Sequence, residues 1–243
     1  MTDRAPGRQG KRGGEADSAG ALRYVGCMAF RTSLAAIALC IAPAVSAQNA
    51  IPLAPAVPAY AVPAPALPAT AIRVVLTTSE GPITFALDPD HAPKTTANFL
   101  RYVDQKRLDG VTFYRAMKLG NGIGLIQGGA KGEPKRILPP VAHEPTSLTG
   151  LTHDDATISL ARFAPGTGTA DFFITVGAIP YLDADPKRAG DNQGFAAFGH
   201  VVEGMDIVRR ILEAPTSPTE GVGAMKGQMI AAPVRILTVR RAK

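Results

Sequence analysis

Residues Ile72 to Leu87 read I-R-V-V-L-T-T-S-E-G-P-I-T-F-A-L, and this stretch decides the class of fold. Ile72, Val74 and Leu76 alternate with Arg73, Val75 and Thr77; after Ser79-Glu80-Gly81, Ile83, Phe85 and Leu87 alternate again. A period of two puts one set of side chains on a buried face, so the stretch predicts two antiparallel strands joined by a turn. Downstream, Asp88-Pro89-Asp90 stops the second strand and Pro93 suits the first turn of a helix. Thr96, Leu100 and Val103 then fall at helical spacing, which predicts a helix over 93–105. Further strands are expected around Phe113 and Leu125, at 157–161, 171–176 and 198–202, and at 234–240. Met205, Val208, Ile211 and Leu212 mark a second helix, while 130–155 and 184–194 read as polar surface loops. Many short strands with helices at only two points predict a mainly β fold, a closed antiparallel barrel or sandwich capped by two helices.

Upstream of the hairpin the composition changes. Residues 1–27 are polar, Gly-rich and basic, and are expected to be a disordered extension or to precede the true translation start at Met28. From Met28 the chain has a positive start at Arg31, an apolar run from Leu34 to Val45 and the small-residue end Val45-Ser46-Ala47. That is the layout of a signal peptide over 28–47, with an apolar run too short to span a bilayer. Export with cleavage after Ala47, to the periplasm, is the expectation. Residues 48–70 are rich in Ala, Val and Pro, with six prolines between Pro52 and Pro68, and predict a polyproline-II spacer. The folded domain is therefore expected at 71–243. Cys27 and Cys40, the only cysteines, both precede the cleavage site, which removes thiol chemistry from the mature chain. Half of the net charge of +6 falls before residue 48: the first 47 residues hold six basic and three acidic residues, leaving 20 basic and 17 acidic beyond. With no basic run interleaved with aromatics, a nucleic-acid partner is not expected. Nothing points to an oligomer, and a monomer is expected.

The stretch with the most chemistry is Thr112 to Gly129, T-F-Y-R-A-M-K-L-G-N-G-I-G-L-I-Q-G-G. Strand alternation predicts that Phe113 and Arg115 share one face and that Leu125 and Gln127 share one face of the next strand. A planar, permanently charged fork of donors beside an amide and apolar groups suits a peptide carbonyl and a ring. Other constellations fail. Gly120, Gly122 and Gly124 lack the G-x-G-x-x-G spacing and a surrounding βαβ unit. His143-Glu144 and His153-Asp154-Asp155 lack close ligand spacing, so no metal and no cofactor are expected. Ser159 lies in a strand without a nucleophile turn.

An ordered series of segments runs through 71–241: the opening hairpin followed by A-P-K-T-T-A-N-F, then F-Y-R, Q-G-G, I-S-L-A-R, D-F-F-I-T, P-Y-L-D and F-G-H-V-V-E-G-M-D-I-V. In this order they resemble the cyclophilin family of peptidyl-prolyl cis-trans isomerases. The resemblance implies an eight-stranded antiparallel barrel with a helix over each opening, acting on unfolded or Pro-containing polypeptides. It implies Arg115 and Gln127 as catalytic residues, with Phe113, Leu125, Ala161, Phe173, Tyr181 and Leu182 binding the substrate. Three departures stand out. Eleven residues, Ala116 to Ile126, separate Arg115 from Gln127 where the family has seven, and Gly124 falls where the family has a groove phenylalanine. Asp171 replaces a glutamine, and the groove histidine has Phe195 as its nearest match. The expected activity is rotation of X-Pro bonds, with Arg115 donating a hydrogen bond to the twisted prolyl nitrogen. The alternative is a catalytically weak module of the same fold that binds Pro-containing peptides.

Overall fold

The computed structural model describes residues 68–242. The segments read as extension, signal peptide and most of the spacer, residues 1–67, lie outside the described residues. Nine strands occur among the described residues: β1 (Ile72–Thr78), β2 (Gly81–Leu87), β3 (Thr112–Gly120), β4 (Ile123–Gly129), β5 (Thr157–Leu160), β6 (Phe172–Val176), β7 (Ala196–Glu203), β8 (Thr216–Ser217) and β9 (Met229–Arg241). Eight of them hydrogen-bond in the order β1-β2-β7-β5-β6-β4-β3-β9, and β9 pairs back onto β1. All of these pairings are antiparallel, so the barrel closes and leaves no free edge among its eight strands. β8 is a two-residue appendage on β9.

The period-two residues of the first hairpin do what alternation demands. Val74, Leu76, Ile83, Phe85 and Leu87 are fully buried inside the barrel. Gly81, which ends the turn, has φ +126° and lies where a Cβ would come within 2.8 Å of Ile207. A side chain there would be strained and would also push on the second capping helix. Five phenylalanines knit the interior: Phe172 meets Phe85 and Phe113 edge to face at 5.9 and 5.8 Å, and Phe99 at 5.4 Å. Phe99 in turn packs on Phe198.

Helices α1 (Pro93–Asp104) and α3 (Met205–Glu213) supply the buried stripes Phe99, Leu100, Val103 and Ile207, Val208, Ile211, Leu212. Between them, the excursion 130–155 differs from the polar surface loop that its composition predicts. It carries a one-turn helix, α2 (Thr146–Thr149), and Ile137, Leu138, Val141 and Leu151 pack against the core. Its Glu144 is buried and accepts from the backbone N–H groups of Lys94 and Thr95 at 3.1 and 2.7 Å, and from the Thr95 hydroxyl at 2.7 Å. No side chain of the residue preceding α1 caps it. A carboxylate supplied 50 residues along the chain satisfies the orphan donors and complements the helix dipole instead.

Candidate functional site

The groove is built on the outer face of β3, β4, β6 and β5. Arg115 pairs in register with Gln127, Gln127 with Phe173, and Phe173 with Ser159, so four strands place these residues in one cross-strand row. On the same face Met117 is the partner of Leu125. Leu125, Phe173, Ile179 and Leu182 form an apolar cluster separate from the barrel interior, with Met117, Ala161 and Phe195 packed against it. The strand β6 therefore divides two cores: Phe172 points into the barrel and Phe173 into the outer cluster.

One expected site residue goes elsewhere. Phe113 is fully buried in the barrel core and does not share a face with Arg115. Phe113 pairs with Gly128 and Arg115 with Gln127, so two steps on β3 match one on β4. Tyr114 is the extra residue of a β-bulge, which resets the alternation and turns Arg115 outward. Gly128 makes room for this: a Cβ there would lie 2.8 Å from the Phe113 ring.

The Arg115 guanidinium is held by amide oxygens. Its Nε–H donates to Gln228 Oε1 and an Nη1–H to Gln127 Oε1, both at 2.8 Å; Nη2 lies 3.5 Å from the Met117 sulfur. Because a guanidinium only donates, both amides must turn their oxygens toward it. Their nitrogens then donate outward, Gln127 to the Tyr114 hydroxyl at 2.7 Å and Gln228 to the Ala224 carbonyl at 2.8 Å. Burial draws the Arg115 pKa below its ordinary value, and burial followed by the charge of Asp171 raises that of Tyr114. Tyr114 thus stays a neutral hydroxyl, while Arg115 remains a cation because a guanidinium does not give up its proton in a protein. Among the described residues no carboxylate pairs with Arg115 within 4.0 Å, and five N–H donors against three contacts leave two for a ligand.

The lengthened segment between Arg115 and Gln127 continues β3 and β4 to a tight hairpin. Asn121 and Gly122 carry the two turn positions with φ +51° and +73°, the combination that a type I′ turn needs. Lys118 donates to the carbonyls of Glu213, the last residue of α3, and of Ala214 just beyond it, at 3.0 and 3.1 Å, which fastens the extra length to the helix end. Position 124 cannot carry a groove side chain: a Cβ there would lie 2.2 Å from the Met117 carbonyl and 2.9 Å from Leu212. Met117 lines the groove beside Leu125 in its absence.

At the rim, Tyr181 is half exposed with its hydroxyl 3.7 Å from the Met117 sulfur. Phe195 meets Phe173 edge to face at 5.3 Å, and the Arg162 guanidinium covers the Phe195 ring at 5.2 Å. Arg162 also binds Asp191 through two hydrogen bonds, at 2.8 and 2.9 Å, clasping the 184–194 loop beside the pocket.

Asp171 immediately precedes β6 and accepts from the Lys131 backbone N–H at 2.9 Å. Burial raises its pKa above the ordinary carboxylate value, with the Lys131 bond opposing. A raised folded-state value means that the native chain binds more protons, so this group's contribution falls as pH rises through that window. Asp171→Asn keeps an acceptor oxygen without the buried charge. It is expected to melt higher than wild type near neutral pH, with the gain vanishing below the ordinary carboxylate range in paired melting curves.

Arg115, Gln127, Leu125, Ala161, Phe173, Tyr181 and Leu182 all stand at this groove, whereas Phe113 does not. Gln228, Met117 and Ile179 join it without any sequence expectation. A family model described as cyclophilin type peptidyl-prolyl cis-trans isomerase/CLD matches residues 73–240. The peptidyl-prolyl cis-trans isomerase cyp18 of Streptomyces antibioticus is 36% identical over 152 residues, covering 61% of this chain and 87% of that protein. Peptidyl-prolyl cis-trans isomerase A of Dickeya dadantii is 35% identical over 158 residues, covering 63% and 76% respectively. A solved cyclophilin-type isomerase structure from Cryptosporidium parvum matches with a TM-score of 0.56 at 21% identity, over 71% of this chain and 98% of that one, and supports the fold alone.

Proposed function

The chain belongs to the cyclophilin-type peptidyl-prolyl cis-trans isomerase family and is a peptidyl-prolyl cis-trans isomerase; we propose that its groove works by hydrogen bonding from Arg115 to the twisted prolyl nitrogen. The observation that carries this is a charged guanidinium fixed by two amide oxygens, unpaired with any described carboxylate, beside the apolar cluster of Leu125, Phe173, Ile179 and Leu182.

X-Pro rotation crosses a barrier of about 18–20 kcal/mol because amide resonance is lost. As the bond twists, the prolyl nitrogen recovers its lone pair and becomes an acceptor. A donor aimed there helps only the twisted state, which is differential binding of the transition state. No proton leaves the guanidinium, and no nucleophile, metal or cofactor is called for by this route. Leu125, Phe173 and Leu182 would hold the proline ring and Gln127 orients the arginine, so one side of the bond turns against a fixed other side.

We further propose that substrates are Pro-containing segments of other polypeptides, that the enzyme works after export with cleavage following Ala47, and that it acts as a monomer. The layout of residues 28–47 supports export, and a groove complete within one chain supports the monomer. N-terminal sequencing of the mature protein is expected to return Gln48. The activity is tested with the full chain on a proline tetrapeptide: catalysed isomerisation is expected, and a rate equal to the buffer control would overturn it.

A further inference from the structure

Beneath the proline pocket lies a histidine that the isomerase reaction does not use. His153 is 1% exposed and sits against β5, β6 and the segment around the 3-10 turn Pro180–Leu182. Its ring stacks on Phe173 at 5.7 Å with an interplanar angle of 18°. Nδ1 lies 2.6 Å from Asp183 Oδ1 and Nε2 lies 2.9 Å from Ser159 Oγ. A carboxylate only accepts, so Nδ1 carries the proton; in the neutral ring Nε2 then accepts from the serine hydroxyl. Both nitrogens are engaged, and the imidazole cannot turn about its Cβ–Cγ bond without breaking both contacts.

The backbone of His153 adds two further ties. Its N–H donates to Asp183 Oδ1 at 3.0 Å, and its carbonyl accepts from the Ile179 N–H at 2.7 Å. One residue thereby joins β5 at Ser159 to both ends of the 179–183 wall, whose Ile179 and Leu182 belong to the outer cluster. Ser159 is also the register partner of Phe173. Asp, His and Ser occur here in the order of a hydrolytic triad, yet Ser159 is fully buried, and no substrate carbonyl can reach its hydroxyl.

We infer that His153, locked by Asp183 and Ser159, is a positioning residue for the proline pocket: it sets where Phe173 and the 179–183 wall stand. Phe173 has one face against this imidazole and meets Phe195 edge to face, so only the remaining surface is offered to the proline ring. A stacked ring pinned at both nitrogens removes the freedom that Phe173 would otherwise have to retreat when a ring enters. The effect should fall on ring binding, in ground and transition states alike, and hence on KM.

This inference rests on the isomerase reading, and the test separates the two. Full-length wild type, His153→Ala, Asp183→Ala and Asp183→Asn are assayed on a proline tetrapeptide at a temperature where each is folded by circular dichroism. KM is expected to rise about tenfold for His153→Ala and Asp183→Ala with kcat changed far less. Asp183→Asn, which retains an oxygen for both His153 N–H groups, is expected to stay within about twofold of wild type. Phe173 ring resonances should shift in the two alanine variants and hold in the asparagine one. Folded alanine variants with wild-type KM and unshifted Phe173 signals would overturn the inference, as would a loss confined to kcat. Absence of isomerisation by wild type itself would instead count against the isomerase reading, and the Phe173 resonances would still decide the role of His153.

Discussion

Arg115→Ala is expected to lower kcat/KM for X-Pro isomerisation by about 10²–10³, the usual consequence of deleting one donor aimed at a transition-state acceptor. The loss should lie in kcat, because the prolyl nitrogen accepts only while the amide is twisted, and KM should move little. Stability should change by no more than about 1 kcal/mol. The two amide oxygens left behind, on Gln127 and Gln228, can take water in the space the guanidinium vacates, and their nitrogens keep their own acceptors. Arg115→Lys is informative because it retains the charge while losing the fork. A point-charge ammonium cannot satisfy two divergent amide oxygens and still present a donor in a fixed direction, so most of the loss should persist. The measurement is a coupled isomerisation assay with kcat and KM resolved, alongside thermal melts. A selective rise in KM would recast Arg115 as a holder of the ground-state carbonyl, and an unchanged kcat/KM would remove it from the mechanism.

What made the fold legible was local. Alternation in Ile72–Leu87, the helical spacing after Pro93 and the apolar set Met205 to Leu212 each reflect a face that must be buried, and each element formed where its pattern stands. The site was legible where a strand keeps its period: Leu125 with Gln127, and Phe173 on the opposite face from Phe172, follow from counting by two. The counting fails at Tyr114. A bulge adds one residue to one strand only, and the partner strand that reveals it cannot be read from T-F-Y-R. Phe113 therefore went inward. Asn121-Gly122 did carry a readable signal, since that dipeptide favours the hairpin turn it adopts, and it shows the extra residues to be a longer ladder in place of an irregular flap.

Long-range contacts left no trace at all. Gln228 meets Arg115 across 113 residues, because β9 brings Met229 into register beside it. Glu144 reaches α1 from a Pro-rich stretch whose composition suggests only solvent. His153, Ser159 and Asp183 are unremarkable one by one and acquire meaning only when β5, β6 and the wall segment close around them. Side-chain pairs of this kind depend on how the barrel closes, a property of the whole chain.

Phe172 and Phe173 offer the sharpest separation of stability from function, because adjacent residues of one strand serve two different cores. Phe172 is fully buried and touches Phe85, Phe99 and Phe113. Phe172→Ala removes the hub of that aromatic cluster and is expected to cost about 3–5 kcal/mol. Against a total of about 5–15 kcal/mol, that consumes a large share of the margin. Its melting temperature should fall by about 10 °C or more, while the folded fraction keeps a kcat/KM close to wild type, since Arg115, Gln127 and the outer cluster do not depend on that ring. Phe173→Ala also destabilises, because its ring packs against His153 and Phe195. Its distinguishing effect is on the substrate: the surface that grips the proline ring is gone, and kcat/KM should drop by about 10²-fold even in molecules that are folded. Activity per folded molecule, measured at low temperature with the folded fraction taken from denaturant titrations, decides between them. Equal specific activities for the two variants would mean that the outer cluster does not bind the proline. A catalytic loss for Phe172→Ala as large as that for Phe173→Ala would mean that the two cores are mechanically one, with barrel packing setting the groove directly through β6.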